Sequence, residues 1–319
     1  MNRNTVVILI VIAALFVIPA LIAAIIGAAV LISREGGVFP DRNIALIRVE
    51  GVITSGRGSR SMFGGGSAGS ERIIGILEEF RKDKSVKSGV IRINSPGGTP
   101  AGAQEVYREI MRVRRDGKKI TVSMGDVAAS GGYYIASAAD TIFADSATIT
   151  GSIGVIMETS DIHDLLNRVG VKLETIKSGK YKDVGSYSRA MTPDERALLQ
   201  SVLDDVYDQF VTDVAAGRRK VLTESDVRKL ADGRIFTGRQ ALKLKLVDRI
   251  GSLEDALRSA ADDAGIKGDF QVTEYERERG VLEALFGPME TDLSSARRWA
   301  GLSEFAAKLL RAKGTMEVR

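Results

Sequence analysis

The chain has 319 residues, 44% of them apolar and 27% charged, with a formal net charge of +4; this globular composition suits one large domain or two small ones. It has no cysteine and His163 is its only histidine, which removes disulfides, thiol catalysis and thiolate metal sites. The near balance of charge, with no basic stripe interleaved with aromatics, argues against nucleic acid as a partner.

Residues 1–34 form the first unit. Nothing is charged from Asn4 to Ser33, and Thr5 to Ile32 is nearly all Val, Ile, Leu, Ala and Phe. At about 1.5 Å per residue that run outreaches a hydrocarbon core of roughly 30 Å. It reads as an uncleaved membrane anchor with the large domain on the extracytoplasmic side, a cleaved signal being the alternative that the alanines at 23, 24, 28 and 29 leave open. Residues 35–42 read as a linker, residues 43–290 as the folded domain, and residues 291–319 as a C-terminal amphipathic helix and tail.

Asn43 to Ile53 alternates like a strand. Ser55 to Ser70 is rich in Gly and Ser and is expected to be a flexible loop. Glu71 to Arg81 follows as an amphipathic helix with Ile73, Ile74, Leu77 and Phe80 on one side. Gly89 to Ile93 is a short apolar strand ending in Asn94-Ser95-Pro96-Gly97-Gly98. Thr99 and Pro100 then supply an N-cap and a first-turn proline for a helix to Arg115. Glycines at the carboxyl end of a strand can offer backbone amides to a ligand. An ordinary βα turn is the plain alternative, and a phosphate loop is disfavoured because neither GxxxxGK[ST] nor GxGxxG occurs.

Lys119 to Met124 is a second strand, feeding the segment Ser123 to Asp140. There a helix is expected at or just after Ser130, followed at once by Gly131 and Gly132. A serine at a helix N-terminus lies where unpaired amides and the helix dipole favour negative charge on a substrate oxygen. The same small residues also suit a helix packed tightly on a sheet with Ser130 as its N-cap. Two βα units in succession predict a parallel sheet with both turns on one edge, so that Gly97, Gly98, Ser130 and Gly131 converge.

Thr141 to Ile156 has strand alternation with a bend at Gly151-Ser152. Ile162, Leu165, Leu166 and Val169 mark one face of a short helix; His163 falls off that face, beside Asp161 and Asp164, as a surface residue, which speaks against a Ser-His-Asp triad. Any activator of Ser130 must then be another base. Lys180 and Lys182 are candidates, since a desolvated lysine can lose its proton, although lysines in a polar loop are ordinarily just exposed. Two residues apart in an extended segment, they share a face and geometry does not choose between them. A long helix over Pro193–Ala215 is opened by Thr192 with Glu195 three residues on. Helices are also expected over Glu224–Leu230, Gly238–Leu244, Leu253–Ala264 and, amphipathic, Ser294–Ala312.

Asn94-Ser95-Pro96-Gly97-Gly98, Ala128-Ala129-Ser130-Gly131-Gly132-Tyr133-Tyr134, Thr150-Gly151-Ser152-Ile153-Gly154-Val155 and Ser178-Gly179-Lys180-Tyr181-Lys182-Asp183, with Arg234 to Ala241 and Leu246-Val247-Asp248 behind them, occur in this order. Together they resemble the bacterial signal peptide peptidase A family over roughly Ile44 to Leu257. The resemblance implies an α/β fold of the Clp-protease/crotonase type, built from repeated β-β-α units and preceded by a transmembrane helix. It implies a membrane-anchored serine-lysine peptidase that degrades remnant signal peptides and other membrane-associated peptides, needs no cofactor or metal and works as a homo-oligomer.

By the same resemblance Ser130 is the nucleophile and Lys182 the general base. Gly97 and Gly131 supply oxyanion amides, and Ser152 is the hydroxyl that orients the lysine amine. Lys182 would then have to be neutral near neutral pH, a fall of about three pKa units or roughly 4 kcal/mol, which apolar surroundings can impose. Lys245 departs from the pattern, since the family commonly has glycine there. Two other readings stay open: an acyl-CoA enzyme on the related crotonase fold, and a non-catalytic membrane scaffold.

Overall fold

The computed structural model of the chain describes residues 43–58 and 66–275. The expected anchor, linker and C-terminal amphipathic segment lie outside the described residues. Among those described, no helix is long and apolar enough to cross a membrane.

The first half runs β1 (Asn43–Glu50), β2 (Val52–Thr54), β3 (Ser67–Gly69), α1 (Ser70–Lys82), β4 (Val86–Ser95), α2 (Pro100–Arg115), β5 (Lys119–Ala129) and α3 (Gly131–Ser137). The second half runs β6 (Thr141–Ala144), β7 (Ile149–Gly151), α4 (His163–Arg168), α5 (Pro193–Gly217), α6 (Glu224–Leu230), β8 (Ile235–Thr237), α7 (Gly238–Lys243), β9 (Arg249–Ile250), α8 (Leu253–Asp263) and β10 (Gln271–Glu274). The main sheet has the order β10-β1-β4-β5-β6-β9, with β7 on the far end of β5 and β8 beside β7. Its pairs are parallel except for the antiparallel β7·β8 pair, so the sheet is mixed.

β4 and β5 read as near-continuous apolar strands because both faces of the sheet are covered. The period-2 alternation of β1 divides between two layers. Ala45, Ile47 and Val49 face the large core with α1, α2 and α3, whereas Ile44 and Leu46 join Ala256, Leu257 and Ala260 of α8.

Three expectations are revised. The sheet is not a plain repeat of β-β-α units, because β4-α2 and β5-α3 are βα units and β2·β3 is a separate two-stranded ribbon. β5 does not stop at Met124: its register against β4 jumps from Ile93↔Met124 to Ser95↔Ala128, a bulge at Gly125 to Val127 that carries the strand up to Ser130. Part of the expected flexible loop is ordered as β3.

The strand character after Thr141 ends at Gly151, and from Gly154 to Asp194 no residue is buried. The apolar face expected for α4 is therefore uncovered, with Ile162, Leu165 and Val169 at 37%, 58% and 63% exposure. Likewise α5, 25 residues long, buries only Glu195 at its start and Phe210, Val211 and Val214 near its end.

Candidate active site

Ser130 stands at the junction of β5 and α3 with φ 51° and ψ −121°, a conformation that costs a non-glycine residue of order 1–3 kcal/mol. The surroundings hold it there. Its N–H donates to Gly151 O (2.8 Å) and its carbonyl accepts from Tyr134 N (2.9 Å). Among the described residues its Oγ makes no hydrogen bond, and the residue is half-buried. Gly131 follows as the first residue of α3, where an amide has no intrahelical acceptor.

Gly97 and Gly98 face this turn, as the sequence predicts. Gly97 has φ 104°, and a Cβ on it would lie 2.7 Å from Gly131 N and 2.8 Å from Ser130 Cβ. Glycine at position 97 thus keeps open the space in front of the Gly131 amide. The Gly97 amide itself is turned away, donating to Ser95 Oγ at 3.1 Å. At Gly98 the bridge to Ile53 uses the Gly97 carbonyl and the Thr99 amide. That leaves the Gly98 N–H on the opposite side, its nitrogen 3.2 Å from where a Cβ of Gly131 would stand. The Gly97 amide, expected as an oxyanion donor, is thus engaged by Ser95, while the Gly98 nitrogen lies close to Gly131. The resemblance gave the oxyanion role to the Gly97 amide, and no signal in the sequence shows that Ser95 takes that amide.

Ser152 is brought to the same place. β7 pairs with β5 in the register Ala129↔Gly151, so Ser130 and Ser152 follow from adjacent strand ends. Ser152 repeats the unusual dihedral, φ 51°, with its N–H on Arg234 O (2.9 Å).

α3 is fixed from two sides by its paired tyrosines. Tyr133 OH donates to Leu246 O at 2.9 Å, and Tyr134 stacks on Phe210 of α5 at 4.4 Å between centroids. Tyr134 OH also donates to the Asp213 carboxylate. Burial pushes both phenols well above their usual range, with Asp213 adding to the shift of Tyr134. Lys245 does adopt a left-handed conformation, φ 61°, and its carbonyl accepts from the buried Arg218 (2.8 Å), so the turn expected of a glycine is kept.

The lysines are not extended side by side: Lys180 to Gly185 form turns, which separates the two candidates. Lys180 Nζ is held by Asp194 at 2.5 Å and lies over the Tyr181 ring; the Asp194 hydrogen bond raises its pKa. Lys182 is exposed, and among the described residues its amine meets neither a carboxylate nor Ser130 or Ser152. Next to it Asp183 and the buried Glu195 share Arg189, an arrangement the sequence analysis did not single out beyond the Thr192–Glu195 cap. Hydrogen bonds from Arg189 hold the Asp183 carboxyl far below the carboxylate range and bring that of Glu195 to about 2. His163 is half-exposed between Asp161 and Asp164, its pKa raised first by its hydrogen bond to Asp161. No cluster of metal-binding side chains occurs among the described residues.

The profile of peptidase family S49 matches residues 112–267. A putative protease of Synechocystis is 43% identical over 228 residues, covering 72% of this chain and 76% of the relative. A putative signal peptide peptidase SppA of Enterococcus faecium is 36% identical over 238 residues, covering 75% and 68%. Among solved structures, a membrane-bound stomatin-specific protease in complex with a substrate peptide gives a TM-score of 0.47 at 12% identity, over 77% of this chain and 97% of its own. Relatives this similar over most of their own length settle the assignment: the chain belongs to peptidase family S49 and is a serine protease.

Proposed function

We propose that the chain is a membrane-anchored endopeptidase that degrades remnant signal peptides and other membrane-associated peptides, with Ser130 as nucleophile and Lys182 as general base. The observation that carries this reading is the turn at Ser130: a strained serine with a free hydroxyl, beside a space that Gly97 leaves empty and two amides enter. Ser130 Oγ attacks the scissile carbonyl while neutral Lys182 takes its proton. The amides of Gly131 and Gly98 then receive the oxyanion, a role in which each donor is worth about 10²–10³ in rate. The protonated lysine gives its proton to the leaving amine, and water hydrolyses the acyl-enzyme by the same route reversed. Ser152 orients the amine. Residues 1–34 anchor the chain with residues 43–290 as the peptidase domain outside, and the extended substrate adds as a strand beside Gly98.

Lys182 of one chain acts on Ser130 of another. Asp213, where α5 meets the nucleophile helix, is 18 residues from Glu195, where α5 grips the Lys182 turn; at 1.5 Å per residue that is about 27 Å. The exposed apolar side chains of Ile156, Leu165, Val169 and Ile176 on this arm suit burial against a neighbour. Such burial would also desolvate the amine, which is what a lysine base requires.

The test is steady-state kinetics on a fluorogenic peptide amide. Ser130→Ala and Lys182→Ala should each abolish turnover, Lys180→Ala should keep most of kcat, and wild-type kcat/KM should rise with pH through one ionisation. An active Lys182→Ala variant refutes the reading.

A further inference from the structure

The arm from Gly154 to Asp194 has no buried residue, so no core fixes where Lys182 stands. What fixes it is charge. Arg189 Nε and Nη2 reach the two oxygens of Asp183 at 2.9 and 2.8 Å, while Nη1 and Nη2 reach those of Glu195 at 2.8 and 2.5 Å. Glu195 also completes the capping box that Thr192 opens at the start of α5, accepting from Thr192 N at 2.9 Å. Asp183 takes a further bond from Lys177 Nζ at 2.5 Å. The side chains of Asp183 and Glu195 are 11% and 3% exposed although the arm around them is open to solvent. A planar guanidinium can grip two carboxylates at once in this way, and a lysine cannot.

Resting on the reading that Lys182 is the base, we propose that Arg189 is a positioning residue for it. By occupying both oxygens of Asp183 and both of Glu195, Arg189 ties the turn that carries Lys182 to the first turn of α5. It also withholds Asp183, the residue next in sequence, from becoming the counterion of the Lys182 amine. The charged groups around the turn are Lys177, Lys180, Arg189, Asp194 and Glu195, with the Tyr181 phenol beside them. Lys180 and Asp194 satisfy each other, and Lys177 and Arg189 satisfy the two remaining carboxylates. Among the described residues Lys182 is thus left with no anion, as a base that must be neutral requires. A freed Asp183 would stabilise the ammonium form and switch the base off at neutral pH.

The experiment is the pH profile of kcat/KM for the full-length chain on a fluorogenic peptide amide, with Lys182→Ala and Ser130→Ala measured alongside. Arg189→Ala is expected to move the ionisation up by about one unit, a loss of about tenfold below it that is regained above it. Adding Asp183→Asn to Arg189→Ala should return the ionisation to its wild-type position. A residue that only stabilised the arm would lower activity evenly across pH without moving the ionisation, and that result overturns the proposal. If Arg189→Ala does not fold, Arg189→Lys carries the test: an upward displacement supports the proposal and an unmoved profile overturns it. If Lys182→Ala stays active, the underlying reading falls and this proposal with it; if Lys182→Ala is dead while the Arg189 variants keep the wild-type profile, this proposal alone falls.

Discussion

At the scale of single residues, the site is defined as much by what is missing as by what is present. A methyl group on Gly97 would stand 2.7 Å from Gly131 N, in the space an oxyanion would occupy, and φ 104° is unfavourable for any side chain. Gly97→Ala is therefore expected to obstruct the Gly131 amide and to lower kcat by about 10²–10³, as much as removing an oxyanion donor does, with KM little changed. Turnover near the wild-type value would mean that the carbonyl oxygen binds elsewhere. The two lysines show how environment separates identical side chains. Lys180 is engaged by Asp194 and held in its charged form, while Lys182 has no anion beside it among the described residues.

At the scale of elements, the position of Ser130, the proposed nucleophile, depends on how α3 is seated. Tyr134 joins α3 to α5 through its stack on Phe210 and its hydrogen bond to Asp213, and its own amide bonds Ser130 O. Tyr134→Phe keeps the stack and removes the bond to a charged acceptor. It should cost about 2 kcal/mol, read as a lower urea midpoint with unchanged slope; an unmoved midpoint would show that Asp213 does not hold the helix.

The βα units, the serine at the helix start and the capped long helix were legible in the sequence because each rests on local signals: an apolar run, a glycine pair, a Thr-x-x-Glu cap. The bulge in β5 was not legible, since it is a property of pairing between strands and not of either strand alone. The bond from the Gly97 amide to the Ser95 hydroxyl was hidden for the same reason. The Arg189 clasp joins residues six apart on either side of one arginine, a spacing with no periodicity to betray it. The apolar face of α4 was visible as a pattern, but the pattern does not say whether a face is covered by its own chain or by another.

At the scale of the whole molecule, one chain carries both members of the proposed dyad, Ser130 and Lys182, but sets them at opposite ends of α5. The serine end is packed and the lysine end is an open arm with exposed apolar side chains. A heterologous contact in which each arm completes the next chain's site would form a ring where its rotation closes. The most direct measurement is complementation between inactive chains. Ser130→Ala and Lys182→Ala variants, each inactive alone, are dissociated, mixed in equal amounts, allowed to reassemble and assayed on a fluorogenic peptide amide. If Ser130 and Lys182 come from neighbouring copies, about a quarter of the sites in a randomly mixed ring hold both side chains, so activity should return to about a quarter of wild type. A mixture that stays as inactive as its parts contradicts a dyad shared between chains.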